Sequence, residues 1–184
     1  MKDERPWLLD DPERLKALAH PMRRQMLHHL NVHGPATSTT LGDLLGAKTG
    51  TTSYHLRQLE KYGFIEEIAE RSTGRERWWR RVETGDIRLP TPDQVADEDL
   101  PVLSEFYRQS VEEDRDLLAR MPAAFAADAA WARHSRGLGR MTSAELDAFF
   151  EEYMELLKKY SRRVEDAGDG SRPMLIRLFA LPGD

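Results

Sequence analysis

Residues 37–81 carry two short helical stripes separated by a Gly-containing turn, followed by a two-stranded pattern with a basic tip, and that order leaves few folds open. Leu41, Leu44 and Leu45 stand at i, i+3 and i+4, the inward stripe of a short helix whose first turn Thr37 or Ser38 can cap. Gly46 can take the left-handed conformation that ends it, and Thr49 suits the cap of the next helix. In that second helix Leu56 and Leu59 share a face that packs. Thr51, Thr52, Tyr54, His55, Arg57, Gln58 and Lys61 offer donors, acceptors and positive charge elsewhere on it. Two short helices at a tight turn put the second where it can enter a major groove.

A hairpin follows. Residues 64–69 and 76–82 read as strands, separated by residues 71–75, where Gly74 suits a reversal of direction. Arg71, Arg75, Arg77, Arg80 and Arg81 stand against Glu76 alone between residues 71 and 81, a local net charge of +4. A basic tip beside a reading helix is placed for phosphates or a minor groove. Alternation sends Trp78 and Trp79 to opposite faces, one into the core and the other onto a neighbouring element.

With these motifs the chain resembles the winged helix-turn-helix transcriptional regulators of the ArsR type. Residues 15–23 (LKALAHPMR) look like that family's entry segment and residues 53–59 (SYHLRQL) like its recognition helix. Residues 74–80 (GRERWWR) resemble the wing of a subgroup with an extended helical C-terminal region, and the likeness spans about residues 9–83. The resemblance implies a homodimer that binds double-stranded DNA at an operator, usually as a repressor released by a signal. Its fold would be mainly α with a small β-hairpin wing, followed by a helical dimerisation or effector region.

The expected contacts follow from side-chain chemistry. Tyr54, His55, Arg57 and Gln58 are candidates for base edges, Arg57 suiting guanine and Gln58 adenine. Thr49, Thr51, Thr52, Lys61, Arg71, Arg75 and Arg77 are candidates for phosphates.

A chain of 184 residues has room for one domain with an extension or for two small ones. Its net charge of −5 divides unevenly, +2 over residues 1–92 and −7 over residues 93–184, so polyanions would meet the N-terminal half. No apolar run approaches bilayer length and no signal-peptide core follows Met1, so a cytoplasmic protein with no membrane partner is expected. The absence of Cys excludes disulfides, thiolate metal sites and a Cys nucleophile.

Breakers and periodicity set the organisation. Asp11-Pro12 opens a helix striped by Leu15, Leu18 and Ala19; Pro21 opens another with Met22, Met26, Leu27 and Leu30 inward, closed by Gly34-Pro35. Residues 84–92 are rich in breakers, with residues 87–89 able to form a short strand. The division expected is therefore residues 1–83, a linker over 84–96, and residues 97–184. In the last, Leu103, Phe106, Tyr107, Val111, Leu117, Leu118 and Met121 mark a long amphipathic helix that Pro122 interrupts or ends. Trp131 lies in an Ala-rich segment predicted helical. Thr142 and Glu145 form a capping box before a helix striped by Leu146, Phe149, Phe150, Tyr153, Leu157 and Tyr160, coiled-coil-like and able to meet its twin or the preceding helix. Residues 173–180 read as a final strand.

Other chemistries find less support. His29 and His33, four apart beside His28, could share a metal, but no third ligand stands at a helpful spacing. Metal-sensing members of the resembled family often use Cys pairs in the turn motif or Asp and His clusters on the last helix; residues 41–46 hold no Cys and residues 146–163 no His. Neither a metal nor a cofactor is expected. There is no phosphate-binding Gly loop, no G-x-S-x-G and no H-E-x-x-H, which argues against an enzyme. Phe106, Tyr107, Phe125, Trp131, Phe149, Phe150 and Tyr153 either pack as core or line a pocket for a small-molecule effector. Without an effector, the C-terminal helices would serve as a fixed dimerisation and partner-binding module.

Overall fold

Asp11 caps the first helix as expected, its carboxylate accepting the Glu13 amide at 2.9 Å ahead of Pro12. The computed structural model describes residues 7–8, 11–74, 76–82, 87–162, 164 and 166–183, without the side chains of residues 7, 8, 87 and 88. In chain order the elements are β1 (Trp7–Leu8), α1 (Pro12–Leu18), α2 (Pro21–His33), β2 (Ala36–Thr37), α3 (Ser38–Leu45), α4 (Thr49–Lys61), β3 (Ile65–Glu67), β4 (Trp78–Arg81), β5 (Ile87–Arg88), α5 (Leu100–Ala127) and α6 (Ser143–Tyr160). The result is mainly α with a small antiparallel sheet.

Local chemistry accounts for the turn between α3 and α4. Thr37 accepts the Thr40 amide at 3.1 Å to start α3, and Gly46 at φ +61° ends it in the left-handed region. Gly42 permits the close approach inside the turn, since a Cβ there would stand 2.9 Å from the Ala47 carbonyl oxygen. Two expectations change. Lys48, not Thr49, occupies the N-cap of α4 and makes no side-chain capping bond. Leu41 is fully buried but Leu44 is 56% exposed, because the inward position beside the turn is filled by Gly42, against which Thr52 packs.

The sheet has order β2-β4-β3 and is antiparallel throughout, pairing Ala36 with Trp79 and Glu66 with Arg80. The hairpin strands are shorter than the pattern implied, and β2 joins them as a third strand that two residues of extended chain gave no sign of. Trp79 is buried and Trp78 half-buried beneath the Arg71 guanidinium, the split that alternation implied. β1 and β5 pair in parallel, Trp7 opposite Ile87, so the short strand expected over 87–89 is present over two of its residues. Thr84, Gly85 and Asp86 of the expected linker lie outside the described residues.

One core unites these elements. Leu15, Leu18, Met26, Leu27, Leu30, Leu41, Leu56, Leu59, Phe64, Ile65 and Trp79 are buried together, and Leu103 and Phe106 of α5 join them from beyond the linker. Each such side chain contributes roughly 1.5–3 kcal/mol when withdrawn from water. The first turns of α5 are thus part of the N-terminal core, and Tyr107 adds a hydrogen bond from its hydroxyl to the Pro90 carbonyl at 3.2 Å.

Beyond that point the C-terminal half departs from expectation. α5 runs unbroken through Pro122 to Ala127, because the amide that proline lacks is one bond among many in a 28-residue helix. Residues 129–142 around Trp131 are not helical. The Thr142 and Glu145 box does cap α6, with Thr142 accepting the Glu145 amide at 3.3 Å and Glu145 accepting the Thr142 amide at 2.8 Å. Residues 173–180 form no strand and find no ladder among the described residues. Arg177 ties it to α5 through Asp114 at 2.8 Å. Among the described residues no helix is long and apolar enough to cross a membrane.

Candidate nucleic-acid interface

The inward face of α4 is Thr52, His55, Leu56 and Leu59, a helical stripe set against α2 and α3. Its outward face presents Thr49, Thr51, Tyr54, Arg57 and Lys61, all exposed, with Tyr54 at 55% and Gln58 half-buried at the boundary. Six of the expected contact residues therefore share one accessible face. Arg57 lies along its own helix, Nε donating to the Ser53 carbonyl at 3.3 Å, and Lys61 donates to the Tyr62 hydroxyl at 3.3 Å.

Thr52 and His55 do not join them. Thr52 is fully buried, its hydroxyl within reach of the Ser38 carbonyl at 2.8 Å and the Thr49 carbonyl at 2.9 Å, so it ties α4 to α3. His55 is 7% exposed, its ring centroid 4.4 Å from that of His20 and 5.2 Å from that of Tyr54. Neither side chain reaches a groove from there. Thr52 and His55 fall at i−4 and i−1 from Leu56, on the stripe that packs inward, so helical period carries them into the seam with it.

The hairpin tip closes with reciprocal bonds of 3.0 Å between Thr73 and Glu76, and Gly74 takes φ +59°. Arg75 lies outside the described residues. Arg71 and Arg77 are exposed, and they differ in surroundings. Arg77 stands 3.4 Å from Glu67, and Arg80 donates to Glu66 at 2.8 Å across the strands. Arg81 reaches the Asn31 side chain on α2. Counted over residues 64–82, five arginines face four glutamates, a net charge of +1. Pairing across the hairpin thus sets Arg77 and Arg80 against carboxylates and leaves Arg71 exposed beside Trp78.

Lys48 carried no signal in the sequence beyond its charge. It is exposed at the uncapped N-terminus of α4, where the free amides and the positive end of the helix dipole favour an anion. Burial pulls His55 below its ordinary value, helped by His20 and Arg23, and burial with Arg23 does the same to His20. His29 and His33 stack with centroids 4.7 Å apart, and no cluster of three or more metal-ligating side chains occurs among the described residues.

Known proteins give a local match. A family model described as a helix-turn-helix domain matches residues 18–68, and no curated protein matches the chain. Among solved structures it is similar to a Mycobacterium bovis fragment described as a possible transcriptional regulatory protein, at 22% identity and TM-score 0.34, covering 54% of this chain and 88% of that one. Reduced HlyU of Vibrio cholerae shows 18% identity and TM-score 0.32, covering 52% and 82%. A Thermotoga maritima transcriptional regulator shows 12% identity and TM-score 0.33, covering 80% and 87%. At TM-scores this low none of these likenesses bears on function. The matched segment spans the end of α1 to the end of β3 and contains β2, and with β4 beside it residues 18–68 are the helix-turn-helix domain of a winged architecture, the one that sets a helix into a major groove.

Proposed function

We propose that the chain is a sequence-specific DNA-binding transcriptional regulator of the ArsR type, acting as a homodimeric repressor at a roughly palindromic operator. The observation that carries this is the exposed face of α4, where Thr49, Thr51, Tyr54, Arg57 and Lys61 stand free of the core beside an uncapped helix N-terminus and a basic wing. In this reading Tyr54, Arg57 and Gln58 contact base edges. Thr49, Thr51, Lys61, Arg71 and Arg75 hold phosphates, and Lys48 joins them; Arg77 would do so by exchanging Glu67 for a phosphate. Two copies would place their α4 helices in successive major grooves about 34 Å apart.

The dimer has support in α5, which exposes Val111, Leu118 and Phe125 at intervals of seven, a seam of coiled-coil period. Residues 97–184 would then be the dimerisation region, docked to the reading head through Leu103 and Phe106.

A second reading, a DNA-binding dimer without an effector, is favoured by one observation. Four of the seven aromatic side chains named for an effector pocket are spent elsewhere: Phe106 is in the N-terminal core, while Phe125, Trp131 and Phe149 are exposed, Trp131 under the Arg172 guanidinium. Fluorescence anisotropy against the chain's own upstream intergenic DNA and a scrambled duplex, over a salt series, tests the main reading. Tight, salt-sensitive and selective binding is expected; equal weak binding to both duplexes would overturn it. Within that assay Gln58→Ala should narrow the gap between the two duplexes, whereas an equal loss on both would remove Gln58 from base reading.

A further inference from the structure

His55 belongs to the reading helix but faces away from the groove. It meets His20, the residue that caps α2, so two imidazoles join the α1–α2 junction to the middle of α4. His20 uses Nδ1 to accept the Met22 amide at 3.2 Å, and Nδ1 of His55 is buried without a hydrogen-bond partner. Arg23 of α2 stands beside both rings and donates to the Lys16 carbonyl at 2.8 Å. Tyr54 of α4 lies edge-on to His55. Lys16 of α1 and Glu105 and Gln109 of α5 line the groove that also holds His20 and Arg23, a cavity of about 530 Å³. Lys16 is paired with Glu13 and Asp99, and Glu105 is engaged by Arg108 and Gln109.

We propose that the His20–His55 pair is a positioning contact that seats the reading helix while both rings are neutral, and that acidification weakens DNA binding by charging it. The inference rests on the DNA-binding reading of α4. A proton on either ring would place a charge in a contact where His55 is buried and His20 half-buried, next to a second imidazole and the Arg23 guanidinium, with the groove's carboxylate already committed. Burial first holds both rings below the ordinary histidine range, with Arg23 adding to it at His20 and with His20 and then Arg23 adding to it at His55. A released ring titrates near the ordinary value of about 6.5. As pH falls below that value the released state takes up protons before the seated one, so the seated arrangement loses stability; above it nothing changes.

The test is anisotropy of full-length protein with a labelled duplex of its own upstream DNA, at fixed ionic strength from about pH 8 to pH 5. Wild type, His55→Gln, His20→Gln and a His28→Gln/His33→Gln control are compared, with melting temperatures recorded without DNA over the same range. Wild type and the control should lose about tenfold in affinity on acidification below the ordinary histidine value. Either His20→Gln or His55→Gln should flatten that loss and the accompanying fall in melting temperature; if His55→Gln fails to fold, His20→Gln carries the comparison. Parallel pH profiles in wild type and these variants, or a flat wild-type profile, overturn the proposal. Absence of duplex binding at any pH, with the difference in melting profiles intact, sinks the DNA reading and leaves the proton-sensitive contact standing.

Discussion

Thr52 and Tyr54 are two residues apart on one polar-looking helix and have opposite fates. A threonine hydroxyl beside a neighbouring helix can donate to a carbonyl oxygen from within, and that of Thr52 lies in reach of both Ser38 and Thr49; Tyr54 points outward. Thr52→Val keeps the shape and removes the hydroxyl, which should cost about 1–2 kcal/mol, read as a lower urea midpoint at unchanged slope. Because Thr52 is inside, the salt dependence of DNA binding should stay as it is; a shallower salt slope would put Thr52 on a phosphate. The identity of this residue was plain in the sequence, but its direction was not, since a threonine serves equally as a surface donor or a buried tie.

At the scale of the element, the hairpin shows how tertiary pairing edits charge. Five arginines in eleven residues read as a strongly basic tip, yet Glu66 on β3 stands opposite Arg80 and pairs with it, and Glu67 pairs with Arg77. Arg71→Ala should therefore lower the salt slope of DNA binding by about one counterion, while Arg80→Ala leaves it nearly unchanged. Equal reductions would mean that the cross-strand pairs open on DNA. The turn between α3 and α4 was legible from Thr37 and Gly46 because caps and glycine conformations are local, whereas the leucine stripe held at Leu41 and failed at Leu44. That β2 joins the hairpin was not, because a two-residue strand has no period of its own.

On the scale of the whole molecule, α5 belongs to two bodies at once. Its first turns complete the reading head through Leu103 and Phe106, and its later turns expose Val111, Leu118 and Phe125. Leu103→Ala should destabilise the fold by about 2–5 kcal/mol, seen by thermal or chemical denaturation, although it lies beyond the expected domain boundary. A loss under about 1 kcal/mol would make the head independent of α5. Val111→Glu with Leu118→Glu should shift sedimentation to a monomer and weaken operator binding; a dimer of unchanged stability would place the seam elsewhere. Taken alone, the sequence determined α1 to α4 in order, the caps at Asp11, Thr37 and Thr142, the tight turn and a polar helix beside it, because these depend on contacts within a few residues and on hydrophobic period. Only the tertiary structure decided which polar residues of α4 turn inward, which wing arginines are neutralised, and that the core reaches across the linker into α5. Those outcomes depend on partners brought together from far along the chain, and no local pattern encodes the partner.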